Sequence, residues 1–304
     1  MKLPPELREK LFKEKGISGV SEDPNGFINV YVETQDDAKE LLLRTPKIMG
    51  FQVRPIVTGR IKIMERTSRI RPILPGISIS HPKSTSGTLG FIAKDKITKQ
   101  SVIVSNAHVI APHTWAEVNI GDSTLQPGSF FGGKDPEDKV AELLRFVEIK
   151  QPPETNIVDA ACSKITVDFK EEIMEIGRVV GIRKANIGEE VIKSGYSGVT
   201  VSKIIDTSAT VKVFGYWGED TFAIFENQLV AKPALMIPGD SGSVWIGKDN
   251  RVVGLGFAGS SEVSIANDIT AIVDLLKLEA PFFVMAGVPL LFGLTFLPMF
   301  IARE

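Results

Sequence analysis

The residues from Pro238 to Ile246 read PGDSGSVWI, a glycine-rich turn that runs into a strand-like apolar end. A serine between two glycines at a tight turn exposes its hydroxyl and lets neighbouring backbone N–H groups converge on one point. An oxyanion requires such convergent donors during acyl transfer. The segment therefore predicts a nucleophile at Ser241.

A nucleophilic serine needs a general base, and the sequence offers three histidines: His81, His108 and His113. His108 lies in VIVSNAHVIA, at the end of a β-rich run. The base in turn needs a carboxylate that holds its tautomer, and NIVDAACSKI places Asp159 beside another apolar run. Asp168, in the charged segment ITVDFKEE, is the alternative. The preferred order along the chain is histidine, aspartate, serine.

These segments resemble the trypsin-like, chymotrypsin-fold serine peptidases, which use the same chain order. SNAHVI is similar to the family's segment around its catalytic histidine, NIVDAACSKI to its aspartate segment and PGDSGSVWI to its nucleophile loop. With IGDSTLQPG, KSGYSGVT and GLGFAGSS, they resemble a narrower branch, the narrow-leaf-like peptidases of plants and microbes. The resemblance covers about residues 76–275.

The resemblance implies a serine endopeptidase with a polypeptide substrate and a chymotrypsin-like double β-barrel. It assigns His108 as the general base, Asp159 as its orienting partner and Ser241 as the nucleophile. The backbone N–H groups of Gly239 and Ser241 would form the oxyanion hole. The histidine and the aspartate would come from the first barrel and the serine from the second, with the site in the cleft between them.

The same resemblance indicates a substrate pocket. Leu235 lies six residues before the nucleophile, where members that cleave after basic residues carry an aspartate. The strand expected to line the pocket contains Phe257, Ala258 and Gly259. We therefore expect a small or apolar side chain at P1, the substrate residue before the scissile bond.

Three features depart from the family pattern. Ser243 stands where many members have a second glycine, and the paired cysteines of secreted members are absent, since Cys162 is the single cysteine. No freed amino terminus of the usual activated kind is evident. The partner that balances the charge of Asp240 is therefore open at this stage.

The predicted fold is mainly β over residues 77–279. Short β-rich runs such as LGFIA, SVIVSNAHVI and RVVGLGFAG are separated by Gly, Pro, Asn and Asp, which is typical of a barrel or sandwich. Helical periodicity appears in DITAIVDLLKLE, with Asn267 or Asp268 as N-cap. GLGFAG, from Gly254 to Gly259, fits a dinucleotide-binding pattern, but the strand-like SSEVSI follows it where that motif needs a helix.

Residues 1–62 predict a small α/β domain in the order helix, hairpin, helix, strand, with DPNG as the hairpin turn. Its role is either interaction and assembly or that of a structural appendage. Residues 63–76, which contain Arg66, Arg69 and Arg71, predict an exposed linker.

Composition excludes several classes of protein. The 304 residues include 35 basic and 37 acidic side chains, for a net charge of -2. A nucleic-acid-binding protein usually shows a strongly basic domain or stripe, so this balance argues against nucleic acid as a partner. The lone cysteine excludes a multi-cysteine zinc site and is compatible with a reducing compartment. No second ligand at metal spacing accompanies His81 or His113, and we expect neither metal nor cofactor.

The C-terminal segment from Ala280 to Ala302 has 23 residues, APFFVMAGVPLLFGLTFLPMFIA, without a charge. A helix of roughly 20 apolar residues is long enough to cross a bilayer. The N-terminus, MKLPPELREKLFKEKG, lacks the apolar core of a secretory signal. We therefore expect a C-terminal membrane anchor with the peptidase domain in the cytoplasm. The alternatives are a buried terminal segment and a soluble cytoplasmic protein.

Two functions follow from these patterns. The first is a serine endopeptidase that uses Ser241, His108 and Asp159. The second is a catalytically silent protein of the peptidase fold that binds peptides or acts as a scaffold. A homo-oligomer is compatible with both.

Overall fold

The computed structural model describes residues 3–59 and 66–279. The chain divides into two compact units, Met1–Glu65 and Arg66–Glu304. The segment 280–302, predicted to anchor the protein in a membrane, lies outside the described residues. Within the described ranges, no helix is both long enough and apolar enough to span a bilayer.

The first unit is a small α/β structure with its elements in the order helix, hairpin, helix, short strand and strand. They are α1 (Pro5–Phe12), β1 (Ile17–Glu22), β2 (Phe27–Val32), α2 (Gln35–Arg44), β3 (Lys47–Ile48) and β4 (Phe51–Val57). The sheet order is β1-β2-β4-β3, with β1 antiparallel and β4 parallel to β2. A capping box between Thr34 and Asp37 starts α2, the crossover between the parallel strands.

The second unit is mainly β, as predicted. Its strands are β5 (Ser78–Ile79), β6 (Gly87–Thr88), β7 (Phe91–Asp95), β8 (Ser101–Ser105), β9 (Ser123–Leu125), β10 (Lys139–Phe146), β11 (Thr155–Asn156), β12 (Ala161–Ile165), β13 (Gly181–Ile182), β14 (Glu190–Gly195), β15 (Gly198–Phe214), β16 (Phe222–Lys232), β17 (Val244–Gly247), β18 (Arg251–Gly259), β19 (Ser264–Asp268) and β20 (Leu278–Glu279). Its helices are α3 (Ala107–Ile110), a 3-10 turn (Ser129–Phe131) and α4 (Ile269–Leu275).

One sheet of this unit has six strands in the order β20-β7-β8-β12-β10-β9. Its central strand β8 is buried on both faces, because Ile103 packs into one apolar cluster while Val102 and Val104 pack into another. The chain leaves the end of β8 directly into α3. His108 therefore sits on a short helix that a fully packed strand holds in place.

The other sheet closes into a ring. β14 pairs with β15, β15 with β16, β16 with β19, β19 with β18, β18 with β17, and β17 again with β14, all antiparallel. Each of the six strands sends apolar side chains into one cluster around the fully buried Trp245. Each of these six strands is therefore paired on both sides within the ring. The loop between β16 and β17, which contains Ser241, thus starts and ends on a rigid barrel.

The segments 66–76 and 254–259 both belong to the second unit. Within the exposed linker predicted over 63–76, Arg69 and Arg71 are exposed, whereas Arg66 and Ile73 are buried. Arg66 forms an ion pair with Glu175 and donates to Ser194 Oγ at 2.6 Å. Residues 254–259 end strand β18 and lead through a short turn into β19, so they lack the helix that a dinucleotide site needs.

Candidate active site

His108 and Asp159 form a hydrogen-bonded pair. His108 Nδ1 lies 2.5 Å from Asp159 Oδ2, and the backbone N–H of His108 donates to Asp159 Oδ1 at 3.1 Å. The aspartate side chain is fully buried, while 18% of the histidine side chain is exposed. The carboxylate therefore holds the proton on Nδ1 and leaves Nε2 free to accept one.

The backbone around Asp159 is clamped by two buried asparagines. Asn106, the residue before α3, donates from Nδ2 to the Asp159 carbonyl at 2.8 Å, and the Asp159 N–H donates to Asn267 Oδ1 at 2.9 Å. Asn267 belongs to β19 of the closed barrel. The aspartate is therefore tied both to the helix that carries His108 and to the barrel that carries Ser241.

The Asp159 carboxylate has a third donor besides the two N–H groups of His108. The hydroxyl of Tyr216, which is itself buried, donates to Oδ2 at 2.6 Å. Burial on its own raises the pKa of the Asp159 carboxyl, but the charge of protonated His108 and the hydrogen bonds from His108 and Tyr216 outweigh it. The pKa of Asp159 therefore lies below its ordinary value, and the carboxylate is ionised at neutral pH.

Ser241 sits in a turn shaped by two glycines with positive φ, Gly239 at 100° and Gly242 at 93°. The backbone N–H of Thr88 donates to the Ser241 carbonyl at 2.7 Å. Gly87 fits between the Val109 side chain and that same carbonyl: a Cβ there would lie 2.4 Å from Val109 and 2.7 Å from the Ser241 oxygen. The serine turn is thereby packed against the residue that follows His108. Among the described residues no hydrogen bond joins the Ser241 hydroxyl to His108.

Two backbone N–H groups of this turn have no hydrogen-bond acceptor among the described residues. In the described part of the chain, neither Gly239 N–H nor Ser241 N–H donates a hydrogen bond. The carbonyl of Gly239 is fixed by the Thr88 hydroxyl at 2.9 Å, and Thr88 Oγ1 also accepts from Tyr196 N–H at 3.3 Å. The turn therefore presents two free donors beside the serine hydroxyl.

Lys193 balances the charge of Asp240, the question that the sequence left open. Its Nζ lies 2.8 Å from Asp240 Oδ1, and both side chains are fully buried. Asp240 also accepts hydrogen bonds from Ser197 N–H at 2.9 Å, from Ser197 Oγ at 2.6 Å and from Ile237 N–H at 3.0 Å. Burial lowers the pKa of Lys193, and the Asp240 carboxylate offsets part of that effect. Because Asp240 lies between Gly239 and Ser241, this internal pair holds both free N–H groups in place.

A cavity of about 510 Å³ opens beside Ser241. Three of the residues expected to line a substrate pocket do line it, and none of the lining residues carries a charge: Met236, Ile237, Pro238, Ser241, Phe257, Ala258, Gly259, Ser260 and Ser261. Leu235 is placed elsewhere. It is buried in the barrel core, where its N–H donates to Ser264 Oγ at 3.0 Å. Met236, the next residue along the chain, lines the cavity instead.

The remaining candidates take structural positions. Asp168 is exposed, and among the described residues the carboxylate that bonds His108 is that of Asp159. His81 is buried and bonds Asp122 Oδ2 at 3.1 Å and Lys83 N–H at 3.0 Å, while His113 accepts from Ile149 N–H at 2.8 Å. Over residues 3–59 and 66–279, no cluster of three or more His, Cys, Asp or Glu has metal-binding geometry.

The sequence interpretation missed Lys193 and Tyr216. Lys193 lies within VIKSG, where a lysine in an apolar strand is a signal for a buried partner. Tyr216 lies in FGYWGED, a polar turn in which two adjacent aromatic residues are unusual. Neither signal identifies the partner, because both partners come from segments distant in sequence.

Comparison with known proteins places the fold. No family model and no curated protein matches the chain. Among solved structures, the Nocardiopsis protease NAPase superposes with a TM-score of 0.50 at 18% identity, over 68% of this chain and 98% of that one. Thermobifida fusca protease A has a TM-score of 0.49 at 15% identity. Cellulomonas bogoriensis chymotrypsin has a TM-score of 0.48 at 16% identity. Each match covers 68% of this chain and 97% of the other. The structural neighbours are serine proteases of the trypsin and chymotrypsin fold, and this low identity shows a shared fold alone.

Proposed function

We propose that this chain is a serine endopeptidase that cleaves polypeptides through an acyl-enzyme intermediate. The observation that carries the proposal is the hydrogen-bonded pair of His108 and buried Asp159 beside a serine turn whose two N–H groups are free. The fold shared with serine proteases supports it. The missing hydrogen bond from Ser241 to His108 does not contradict it, since such contacts often tighten only when substrate binds.

In the proposed reaction the Ser241 hydroxyl attacks the scissile carbonyl carbon, and its proton passes to His108 Nε2. The N–H groups of Gly239 and Ser241 bind the oxygen that becomes negative in the tetrahedral intermediate. The C–N bond then breaks as His108 returns the proton to the leaving amine. Water repeats the sequence on the acyl-enzyme: His108 takes a proton from it, and the Ser241 oxygen leaves with that proton. Asp159 stays ionised throughout and stabilises protonated His108.

A fluorophosphonate probe tests the proposal, because it reacts covalently with activated serines. The wild-type protein should label, and Ser241→Ala should not. Ser243→Ala is the matched control, since Ser243 lies two residues on, is fully buried and has no hydrogen-bond partner for its hydroxyl. It should label like the wild type. A wild-type protein that fails to label, or a Ser241→Ala variant that labels equally, contradicts peptidase activity and favours the silent peptide-binding protein.

For specificity we propose cleavage after small or apolar residues. The uncharged cavity beside Ser241, with Met236 and Phe257 among its walls, supports this choice. A hydrophobic pocket discriminates by only about 1–3 kcal/mol per methylene, so the preference should be graded rather than absolute. A peptide library with all residues varied at P1 should rank apolar residues first, and a preference for Arg or Lys would contradict it.

We also propose a relation to a narrower group of peptidases and a membrane anchor at the C-terminal segment. The motifs IGDSTLQPG, KSGYSGVT and GLGFAGSS support a relation to the narrow-leaf-like peptidases. The charge-free segment 280–302 supports a C-terminal membrane anchor, with the peptidase unit in the cytoplasm. Partition of the full chain into membranes, compared with a chain that ends at Glu279, tests the anchor. Equal solubility of the two contradicts it.

For residues 1–62 we propose a role in interaction or assembly. On helix α2, Leu43 is 85% exposed and Leu42 is 42% exposed, and on α1 Phe12 is 50% exposed. A contiguous patch of exposed apolar side chains marks a contact surface, and Leu42 and Leu43 are neighbours on α2. Sedimentation of the wild type and of Leu43→Lys should show a smaller particle for the variant. Equal sizes, with the wild type monomeric, would leave this unit as an appendage.

A further inference from the structure

The long hairpin of β15 and β16 reaches the Asp159 side of the site with its tip, residues 215–221. The tip is held by its own hydrogen bonds: Gly215 N–H donates to the Thr221 carbonyl at 3.0 Å, and Thr221 Oγ1 donates to the carbonyls of Tyr216 and, at 2.8 Å, Gly218. Gly215, with φ at 98°, makes the turn possible. The backbone of Tyr216 is thus fixed at the hairpin tip.

The Tyr216 ring is buried, with 4% of the residue exposed. It packs at 5.7 Å from the Phe225 ring and 5.9 Å from the Trp217 ring, and it meets the His108 ring edge-on at 6.5 Å. The packing leaves the hydroxyl one orientation, towards Asp159.

That hydroxyl donates to Asp159 Oδ2 at 2.6 Å, the same oxygen that His108 Nδ1 bonds. An ionised carboxylate only accepts hydrogen bonds, so the phenol is the donor. Burial, and then the charge of Asp159, raise the pKa of Tyr216 well above its ordinary value, and the phenol is neutral at working pH. The carboxylate is fully buried, and its two oxygens receive donors from only these two residues in the described chain.

We propose that Tyr216 is a positioning residue of this site: from the hairpin tip it fixes Asp159 Oδ2 and shares its negative charge with His108. The proposal deepens the proposed function, because it concerns how the base of that reaction is tuned. Tyr216 touches neither substrate nor the reacting atoms and acts through Asp159.

The Tyr216 hydroxyl should lower the apparent pKa of the pair formed by His108 and Asp159. A hydrogen bond to the ionised carboxylate favours the deprotonated form of the pair that Asp159 makes with His108. The two groups titrate together, so the apparent pKa belongs to the pair. Loss of the phenol donor leaves more negative charge facing the imidazole and raises that apparent pKa. Because the base works when His108 is neutral, the acid limb of the activity profile should move to higher pH.

Among the described residues, two titratable side chains bond the Asp159 carboxylate. His108 and Tyr216 are the titratable residues that contact Asp159. Asn106 and Asn267, which bond the Asp159 backbone, and Phe225, which packs on the Tyr216 ring, are uncharged. A shift of the acid limb on changing Tyr216 therefore reports the phenol itself.

The first test is Tyr216→Phe in the full chain, which keeps the ring and removes the hydroxyl. We expect the acid limb of fluorophosphonate labelling to rise by about one pH unit, the order expected for one hydrogen bond to a charged group. The His108 imidazole signal in NMR should titrate with the same shift. The sequence has three histidines, so His81 and His113 serve as internal references that should not move. Tyr31→Phe makes the same chemical change in the first unit and should leave the profile unchanged.

The second test strengthens the donor instead of removing it. Biosynthetic replacement of tyrosine by 3-fluorotyrosine makes the phenol a more acidic and stronger hydrogen-bond donor while the ring stays in place. The apparent pKa of the pair should then fall below the wild-type value. Fluorotyrosine in the Tyr216→Phe protein is the control and should cause no further change. A residue that only packs should not shift the apparent pKa in opposite directions in the two tests. The fluorotyrosine test also needs no substitution that could impair folding.

The outcomes separate the two proposals. A wild-type protein that does not label contradicts the peptidase function, while the NMR shifts still decide the role of Tyr216. A wild-type protein that labels, together with an unchanged His108 titration in both Tyr216→Phe and the fluorinated protein, overturns the positioning role. Shifts of equal sign in the two proteins overturn it as well.

Discussion

The pair of Lys193 and Asp240 offers the most demanding test of how the serine turn is held. Lys193→Met keeps the length of the side chain and removes its charge and donors. Both partners are fully buried at 2.8 Å, and removing one member of a buried pair costs about 3–5 kcal/mol, because the other charge stays uncompensated. Asp240 keeps the donors of Ser197 and Ile237. We therefore expect the free energy of unfolding to fall by about 3 kcal/mol, the lower end of that range.

Urea unfolding followed by tryptophan fluorescence measures this loss. All three tryptophans, Trp115, Trp217 and Trp245, lie in the second unit, so the signal reports that unit alone. Lys203→Met on the neighbouring strand is the matched control, since Lys203 is exposed and its removal should change the free energy of unfolding by less than about 0.5 kcal/mol. Fluorophosphonate labelling of Lys193→Met, measured without urea, should also slow.

A double variant shows whether charge is the cause. Lys193→Met with Asp240→Asn removes both charges and keeps an acceptor for the Ser197 and Ile237 donors, so it should recover part of the lost stability. The reasoning fails if Lys193→Met unfolds at the same urea concentration as the wild type. It also fails if the double variant is no more stable than the single one, because the loss then comes from packing.

Three further predictions concern other parts of the second unit. Burial raises the pKa of the Cys162 thiol to about 12, so a thiol reagent at pH 8 should leave the native protein unmodified and react once per chain after denaturation. Ala258→Tyr should fill the cavity beside Ser241 and lower kcat/KM about tenfold for large apolar P1 residues, with a smaller loss for alanine at P1. Burial pushes the pKa of Asp95 upward, but hydrogen bonds from Thr98 and Arg145 outweigh it and lower the pKa. The ionised carboxylate therefore stabilises the fold fully well above about pH 4, and this stabilisation is lost as the pH falls through the lowered pKa. In urea unfolding, the difference in free energy of unfolding between the wild type and Asp95→Asn should shrink over that range.

Part of the site could be predicted because its chemistry is local. The turn around Ser241 needs small residues at positions of positive φ, and Gly239 and Gly242 supply them within four residues of chain. The α/β order of the first unit was likewise readable from DPNG and the apolar periodicity. Of the residues predicted to form a substrate pocket, Phe257, Ala258 and Gly259 line the cavity beside Ser241 and Leu235 does not. Leu235 and Met236 are adjacent and both apolar, and which of them faces the cavity depends on the course of the loop over the barrel.

The sequence by itself determined the mainly β class, the candidate residues His108, Asp159 and Ser241, and the absence of any disulfide within the chain. These follow from residue type and short-range pattern. Only the tertiary structure decided how the buried charges are balanced: Lys193 on β14 meets Asp240 between two barrel strands, and Tyr216 meets Asp159 from 57 residues away along the chain. A buried carboxylate must find its donors wherever the fold brings them, and closure of the barrel sets that geometry.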